Sequence, residues 1–186
     1  MNTLNIIKIG GNVIDSEEGL KSFLENFSAL EGLKILVHGG GNLATELGSK
    51  LKIPSQMVEG RRITDKATLE VVTMVYAGLI NKNIVAKLQS NSCNAIGLSG
   101  ADANCIPSKK RDSGEINYGF VGDVESKEIE FLQISKFLEQ GLVPVFCAIT
   151  HDGKGNLLNT NADTIAAELS IAMASKFKVI LTYCFE

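Results

Sequence analysis

Apolar residues in this chain fall into short runs and spaced stripes, and the two kinds of pattern alternate. "LNIIKIG" at 4–10 is a short apolar run closed by glycine, which predicts a strand. "EEGLKSFLENFSAL" places apolar side chains at 20, 23, 24, 27 and 30, the spacing of a helix. "LKILVHGGG" at 33–41 reads as a second strand, followed by a helix over about 42–51 that Pro54 brings to an end. Asp65 is a plausible N-cap for a long helix over 65–90. "NAIGLSG" reads as a strand, and "INYGFVGDVES" alternates around Gly119 and Gly122, which predicts a hairpin. "EIEFLQISKFLEQG" is a helix with Gly141 just past its end. "LVPVFCAIT" is one strand, "HDGKGN" a turn, "ADTIAAELSIAMAS" a helix and "FKVILTYCFE" a last strand.

Strands that alternate with helices predict an α/β fold with a mainly parallel, buried sheet. The long helix is apolar at 67, 69, 71, 72, 74, 75, 77, 79 and 80, which is wider than one stripe. Such a helix either lies between the sheet and a second subunit or sits deep in one core.

The 186 residues, 45% of them hydrophobic, suffice for one domain spanning 1–186. A net charge of −3 makes no case for nucleic acid or an acidic membrane surface. No apolar run approaches the ~20 residues of a membrane span. The N-terminus runs straight into a strand without a signal-peptide pattern. Cys93, Cys105, Cys147 and Cys184 form no C-x-x-C pair, and two histidines complete no zinc pattern. Reduced thiols in a cytoplasmic protein are the expectation.

Open α/β sheets bind ligands beyond the carboxyl ends of their strands. "KIGGN", the three glycines at 39–41, and Ser99–Gly100 all fall at such ends. Glycine lets another molecule approach the backbone, and a helix start behind it offers N–H groups to an anion. Lys8 stands in an apolar strand, where a charge needs a partner or a ligand. It is either an edge lysine reaching water or a cation beside two glycine N–H groups, suited to a phosphoryl group. Neither a Walker A loop nor G-x-G-x-x-G is present at these strand ends. Arg61 and Arg62 are a solvated pair or a planar grip on a carboxylate. "NTNAD" at 159–163 is a helix cap, or a set of amides and a carboxylate that orients a polar substrate and a lysine. His38 is as fit for a structural as for a catalytic role.

Taken together, "KIGGN", "VHGGGN", "EGRRIT", "GLSGADAN", "FVGDV" and "LLNTNAD" resemble the motifs of the amino-acid kinase family, in the family's order. They come nearest to its branch acting on N-acylglutamates. The resemblance implies a parallel sheet sandwiched by helices and a homodimer built on the long helix 65–90. It implies ATP-dependent phosphorylation of the side-chain carboxylate of an N-acylglutamate in arginine biosynthesis. Acetyl is the family default for the acyl group, and succinyl is a longer alternative bordered by the segment Phe120 to Val124.

By position, the resemblance makes Lys8 the group that neutralises the transferring phosphoryl and Asp163 the group that orients it. Gly10 and Gly11 meet phosphates through their N–H groups. Gly40, Gly41, Arg62, Asn159 and Asn161 hold the acceptor, with Arg62 on its α-carboxylate. A glutamate side chain, with a pKa of about 4.3, is already an anion, so no general base is needed. Magnesium rides on the ATP phosphates, and no protein ligand to a metal is assigned. The family pattern is longer and brings a second lysine on a further segment, so a C-terminally truncated chain with an incomplete nucleotide side is expected. The alternative function is a non-catalytic, dimer-forming module that binds an acylated amino acid. Arginine-inhibited members carry an extra N-terminal helix; here Leu4 already begins the strand, so no such inhibition is expected.

Overall fold

A computed structural model describes residues 1–54, 56–58, 61–112, 114 and 116–185, with the backbone alone at Arg61. The chain opens with β1 (Thr3–Ile9), α1 (Gly11–Asp15), α2 (Glu17–Ala29), β2 (Leu33–His38) and α3 (Leu43–Lys50). A short ribbon follows, β3 (Met57–Val58) and β4 (Arg61–Arg62). Then α4 (Lys66–Thr73) runs through a π-helical stretch, Met74–Ile80, into α5 (Asn81–Ser90). The second half holds β5 (Ala95–Leu98), β6 (Lys109–Lys110), β7 (Val121–Asp123), α6 (Phe131–Glu139), β8 (Val143–Cys147) and β9 (Ile149–His151). It ends with β10 (Leu157–Thr160), α7 (Ala162–Met173) and β11 (Lys178–Cys184).

The central sheet has the order β11-β1-β2-β8-β5, and all its neighbours pair in parallel. The inner strands β1, β2 and β8 are apolar on both faces because helices cover both, whereas the edge strand β11 leaves Ile180 and Tyr183 exposed. Leu4, Ile6 and Lys8 share one face of β1, which α7 covers with Ile165, Ala166 and Leu169. On the other face, Lys34 and His38 of β2 meet α2 and α5. The buried Lys34 ammonium donates to the carbonyls of Phe27, Ser28 and Leu30, closing the C-terminal end of α2. These layers form the mainly parallel, buried sheet that the strand and helix alternation predicts, in the sandwich that the family resemblance implies.

The long helix starts as expected, with the Asp65 carboxylate accepting the Thr68 N–H at 2.7 Å. By length and mean hydropathy, 66–90 matches a membrane span, yet Val71, Val72, Ile80, Ile84 and Leu88 are buried in the core. Met74 and Leu79 stay more than half exposed on its outer side.

Three expectations change. The segment 116–126 is not a hairpin: β7 pairs antiparallel with β6 and in parallel with β10. Gly119 and Gly122 serve close approach there. Gly119 lies on the Thr64 carbonyl, and Gly122 lies beneath the hydroxyls of Ser108 and Thr160. Residues 142–150 form two strands, not one. β8 belongs to the central sheet, while β9 joins a second sheet of order β6-β7-β10-β9, with the break at Ala148. Its carbonyl accepts the Thr160 N–H at 3.0 Å, which ties the second sheet to the end of the first. Finally, the helix 65–90 is not α-helical throughout. Its π-helical stretch leaves no mark on the apolar pattern.

Candidate active site

The corner after β1 and the corner after β2 lie side by side at the carboxyl end of the central sheet. A Cβ on Gly11 would stand 2.9 Å from the Gly41 Cα, so the two turns pack backbone to backbone. Asp15, at the end of α1, crosses to the second corner. Its carboxylate accepts the Asn42 N–H at 3.1 and 3.3 Å and the Asn42 side-chain amide at 2.9 Å. Gly41 has φ +52, and a Cβ there would overlap the Asp15 carboxylate, so this position requires glycine twice over.

These contacts correct the simplest view of the glycines as bare surface for an anion. Asp15 already takes up the first N–H behind the corner. Gly10 gives its N–H to the Cys184 carbonyl at 2.7 Å, so it shapes the turn and is no donor to a phosphate. The N–H groups of Gly11, Gly40 and Gly41 donate to no protein atom among the described residues.

A cleft of about 370 Å³ opens over these corners, a size ordinary for a small-molecule site. Lys8, Gly11, Gly40, Gly41, Arg62, Asn159, Asn161 and Asp163 all line it. Sequence positions up to 155 residues apart thus converge on one cavity. Gly10 lies behind its wall.

Lys8 is buried, and its ammonium pairs with the Asp163 carboxylate at 2.7 Å. The Phe185 ring centroid lies 5.0 Å from the same ammonium, within reach of a cation–π contact. Lys8 therefore does not extend to water; it is held at the cleft floor by a carboxylate in the first turn of α7.

Arg62 stands on another wall. Its guanidinium donates to the Thr45 hydroxyl of α3 at 2.9 Å and lies beside the Tyr76 hydroxyl. The Arg61 side chain lies outside the described residues. Asn159 donates its side-chain N–H to the Thr64 hydroxyl at 3.0 Å, and Thr64 in turn donates to the Arg62 carbonyl at 2.9 Å. Asn161 is the N-cap of α7, its side-chain oxygen accepting the N–H groups of Asp163 and Thr164 at 2.8 and 3.0 Å. The cap reading of Asn161 therefore holds for its oxygen.

His38 faces away from the cleft and is structural. Its Nδ1–H donates to the Gly39 carbonyl at 2.7 Å, and its Nε2 accepts from the Asn81 side-chain amide at 3.0 Å. Burial pushes its pKa down to about 4, partly opposed by the Gly39 contact, so the ring is neutral at pH 7. Asn81 also donates to the Val145 carbonyl at 2.9 Å. The pair thus ties the glycine corner to the long helix and to β8.

Sequence reasoning missed Asp15, Thr64 and Tyr76. Asp15 follows "KIGGN" closely, and a polar residue at the end of so short a segment was the available signal. Thr64 lies inside the quoted "EGRRIT" motif. Tyr76 is hidden in an apolar stretch of the long helix. Among the described residues, no cluster of three or more His, Cys, Asp and Glu is placed to hold a metal ion.

The site has one ion-paired cation on its floor, a second cation on its wall and N–H groups between them. Such an arrangement draws two anions together and holds them in line. Proteins of known identity are similar to this chain. An acetylglutamate kinase of Cytophaga hutchinsonii is 59% identical over 100% of this chain and 70% of its own length. An acetylglutamate kinase of Phocaeicola vulgatus is 58% identical over 98% of this chain and 70% of its own length. The crystal structure of smu.665 from Streptococcus mutans UA159 superposes with a TM-score of 0.80 at 28% identity, covering 92% of this chain and 69% of that one. The profile of the amino acid kinase family matches residues 3–182, the stretch that carries Lys8, both glycine corners, Arg62 and Asp163, and the chain belongs to that family.

Proposed function

We propose that this chain transfers the γ-phosphoryl group of ATP to the side-chain carboxylate of an N-acyl-L-glutamate, N-acetyl by default. The product is an acyl phosphate, in arginine biosynthesis. The observation that carries this reading is the Lys8–Asp163 ion pair set at two glycine corners, with Arg62 across the same cleft. The names of the two relatives, both acetylglutamate kinases, support the choice of acceptor.

The acceptor carboxylate is already ionised at neutral pH, so the reaction needs positioning and positive charge, not a base. Lys8 neutralises the oxygens of the phosphoryl group in flight. Asp163, engaged with Lys8, orients it. The N–H groups of Gly11, Gly40 and Gly41 receive phosphate and acceptor oxygens. Arg62 offers a planar two-point grip for the α-carboxylate, with Asn159 and the amide nitrogen of Asn161 on the adjoining wall. Among the described residues, Asp163 is the one carboxylate lining the cleft, and it pairs with Lys8; magnesium would be carried on the ATP phosphates. When bound, the metal neutralises phosphate charge.

The chain acts as a cytoplasmic homodimer joined along the helix 65–90. A groove of Leu69, Met74, Phe120 and Leu157 on its outer side supplies apolar surface for that contact.

The test is ATP-dependent formation of acyl phosphate, trapped with hydroxylamine. The expected result is trapped product with N-acetyl-L-glutamate and none with free glutamate. Calorimetric binding of the acceptor without any trapped product would favour the non-catalytic module, and no binding at all would overturn the reading.

A further inference from the structure

Tyr76 touches both ends of the proposed acceptor site. A Cβ built on Gly40 would fall inside its ring, overlapping the Cδ1, Cε1 and Cζ side. The hydroxyl beyond Cζ lies beside the Arg62 guanidinium. The ring therefore spans from the glycine corner to the arginine and forms the cleft wall between them. It is nearly buried, so it is firmly packed.

The π-helical stretch Met74–Ile80 makes this placement possible. Asn81, five residues after Tyr76, braces the same corner from behind through His38. In an α-helix of 3.6 residues per turn, side chains five apart point about 140° away from each other. A wider i→i+5 turn brings them back toward one face. The π turn thus lets one helix hold the corner twice, at Gly40 through Tyr76 and at Gly39 through Asn81 and His38.

From this geometry, and resting on the acceptor reading above, we infer that Tyr76 is the residue that sets the length of acceptor the cleft takes. An N-acylglutamate must reach from Arg62, at its α-carboxylate, to Gly40 and Gly41, at its side-chain carboxylate. The Tyr76 ring fixes the separation of those two anchor points. An acceptor one methylene longer must buckle against the ring, and one methylene shorter leaves a carboxylate short of its donors. One methylene in a packed pocket is worth about 10–200-fold in discrimination.

The experiment measures binding of N-acetyl-L-glutamate and of its one-methylene-longer homologue, N-acetyl-L-2-aminoadipate, by calorimetry on the full chain. The wild-type chain is expected to favour the glutamate compound by at least tenfold. Tyr76→Leu removes the ring and is expected to bring the two affinities within about threefold. Tyr76→Phe keeps the ring and is expected to hold the tenfold preference while both affinities weaken a few-fold through the lost hydroxyl. A general loosening of the fold would lower both affinities in proportion, so the ratio is the readout that separates specificity from stability. An unchanged ratio in Tyr76→Leu overturns the inference. Where Tyr76→Leu does not fold, the same ratio is read in Tyr76→Met, with the same expectation and the same overturning result. A wild-type chain that binds neither compound would sink the acceptor reading itself, and this inference with it. A wild-type chain that binds both equally would sink the inference alone.

Discussion

The ends of β1 and β2 look alike in sequence, each an apolar run with an ionisable residue at or beside its last position and glycines just beyond, yet they do opposite work. The two strands are in parallel register, with Lys8 beside Val37 and Ile9 beside His38. Successive side chains alternate faces, so Lys8 and His38 point to opposite sides of the sheet. Lys8 emerges at the cleft and pairs with Asp163. His38 is buried against Asn81 and stays neutral. A one-residue offset in register thus separates a group that faces the cleft from a group that holds the loop. The lesson is that ionisable residues at neighbouring strand ends need not share a role. The face they occupy decides.

The sharpest way to break this comparison is at Lys8. Lys8→Ala is expected to reduce turnover by about 10²–10³ with a much smaller change in KM for the acceptor, because one charge aimed at the transition state is lost. Initial rates of acyl phosphate formation check it, and a near-normal kcat would place Lys8 with His38 among the structural groups.

His38 should reveal itself through acid stability. Its folded-state pKa is depressed from 6.5 to about 4. The unfolded chain therefore binds more protons between those values. The stability due to the neutral ring is full above pH 6.5 and is lost as pH falls through this window, by about 3 kcal/mol in all. Urea midpoints for wild type and His38→Gln at pH 7, 6 and 5 test this, and equal slopes in the two proteins would contradict it.

Gly40→Ala probes why the second corner needs glycine. The new methyl meets the Tyr76 ring, and overpacking of this kind costs about 1–3 kcal/mol. The two sites are coupled, so the loss should shrink when Tyr76→Leu is combined with it. Thermal melts of the single and double variants would show purely additive losses if the ring were not the obstacle.

Arg62→Lys keeps a charge but loses the planar fork. It is expected to weaken acceptor binding about tenfold and leave ATP binding unchanged, by calorimetry with each ligand. Loss of ATP binding instead would move Arg62 to the phosphate side of the cleft. The smallest effect belongs to Asp65→Ala, which removes the cap of α4 and is expected to cost about 1 kcal/mol in chemical denaturation.

The alternation of apolar runs and stripes determined by itself an α/β fold with a mainly parallel, buried sheet. Burial on both faces leaves a continuous apolar run in an inner strand, and burial of one side leaves a spaced stripe in a helix. Lys8 was legible as a candidate site residue because a charge in an apolar strand has to be answered by something. Asp163 and Arg62 were legible as candidates through the resemblance of their motifs to those of the amino-acid kinase family. Only the tertiary structure decided what answers Lys8, and that Asp15 reaches the second corner before any ligand can. It also decided that Tyr76 fills the space beside Gly40 and that the chain changes sheets at Ala148. Each of these depends on segments distant along the chain meeting in space, and local periodicity records how deeply a residue is buried, not which residue it is buried against. The π turn shows the same limit. One widened turn leaves the apolar pattern almost unchanged, yet it turns Tyr76 and Asn81 toward one corner.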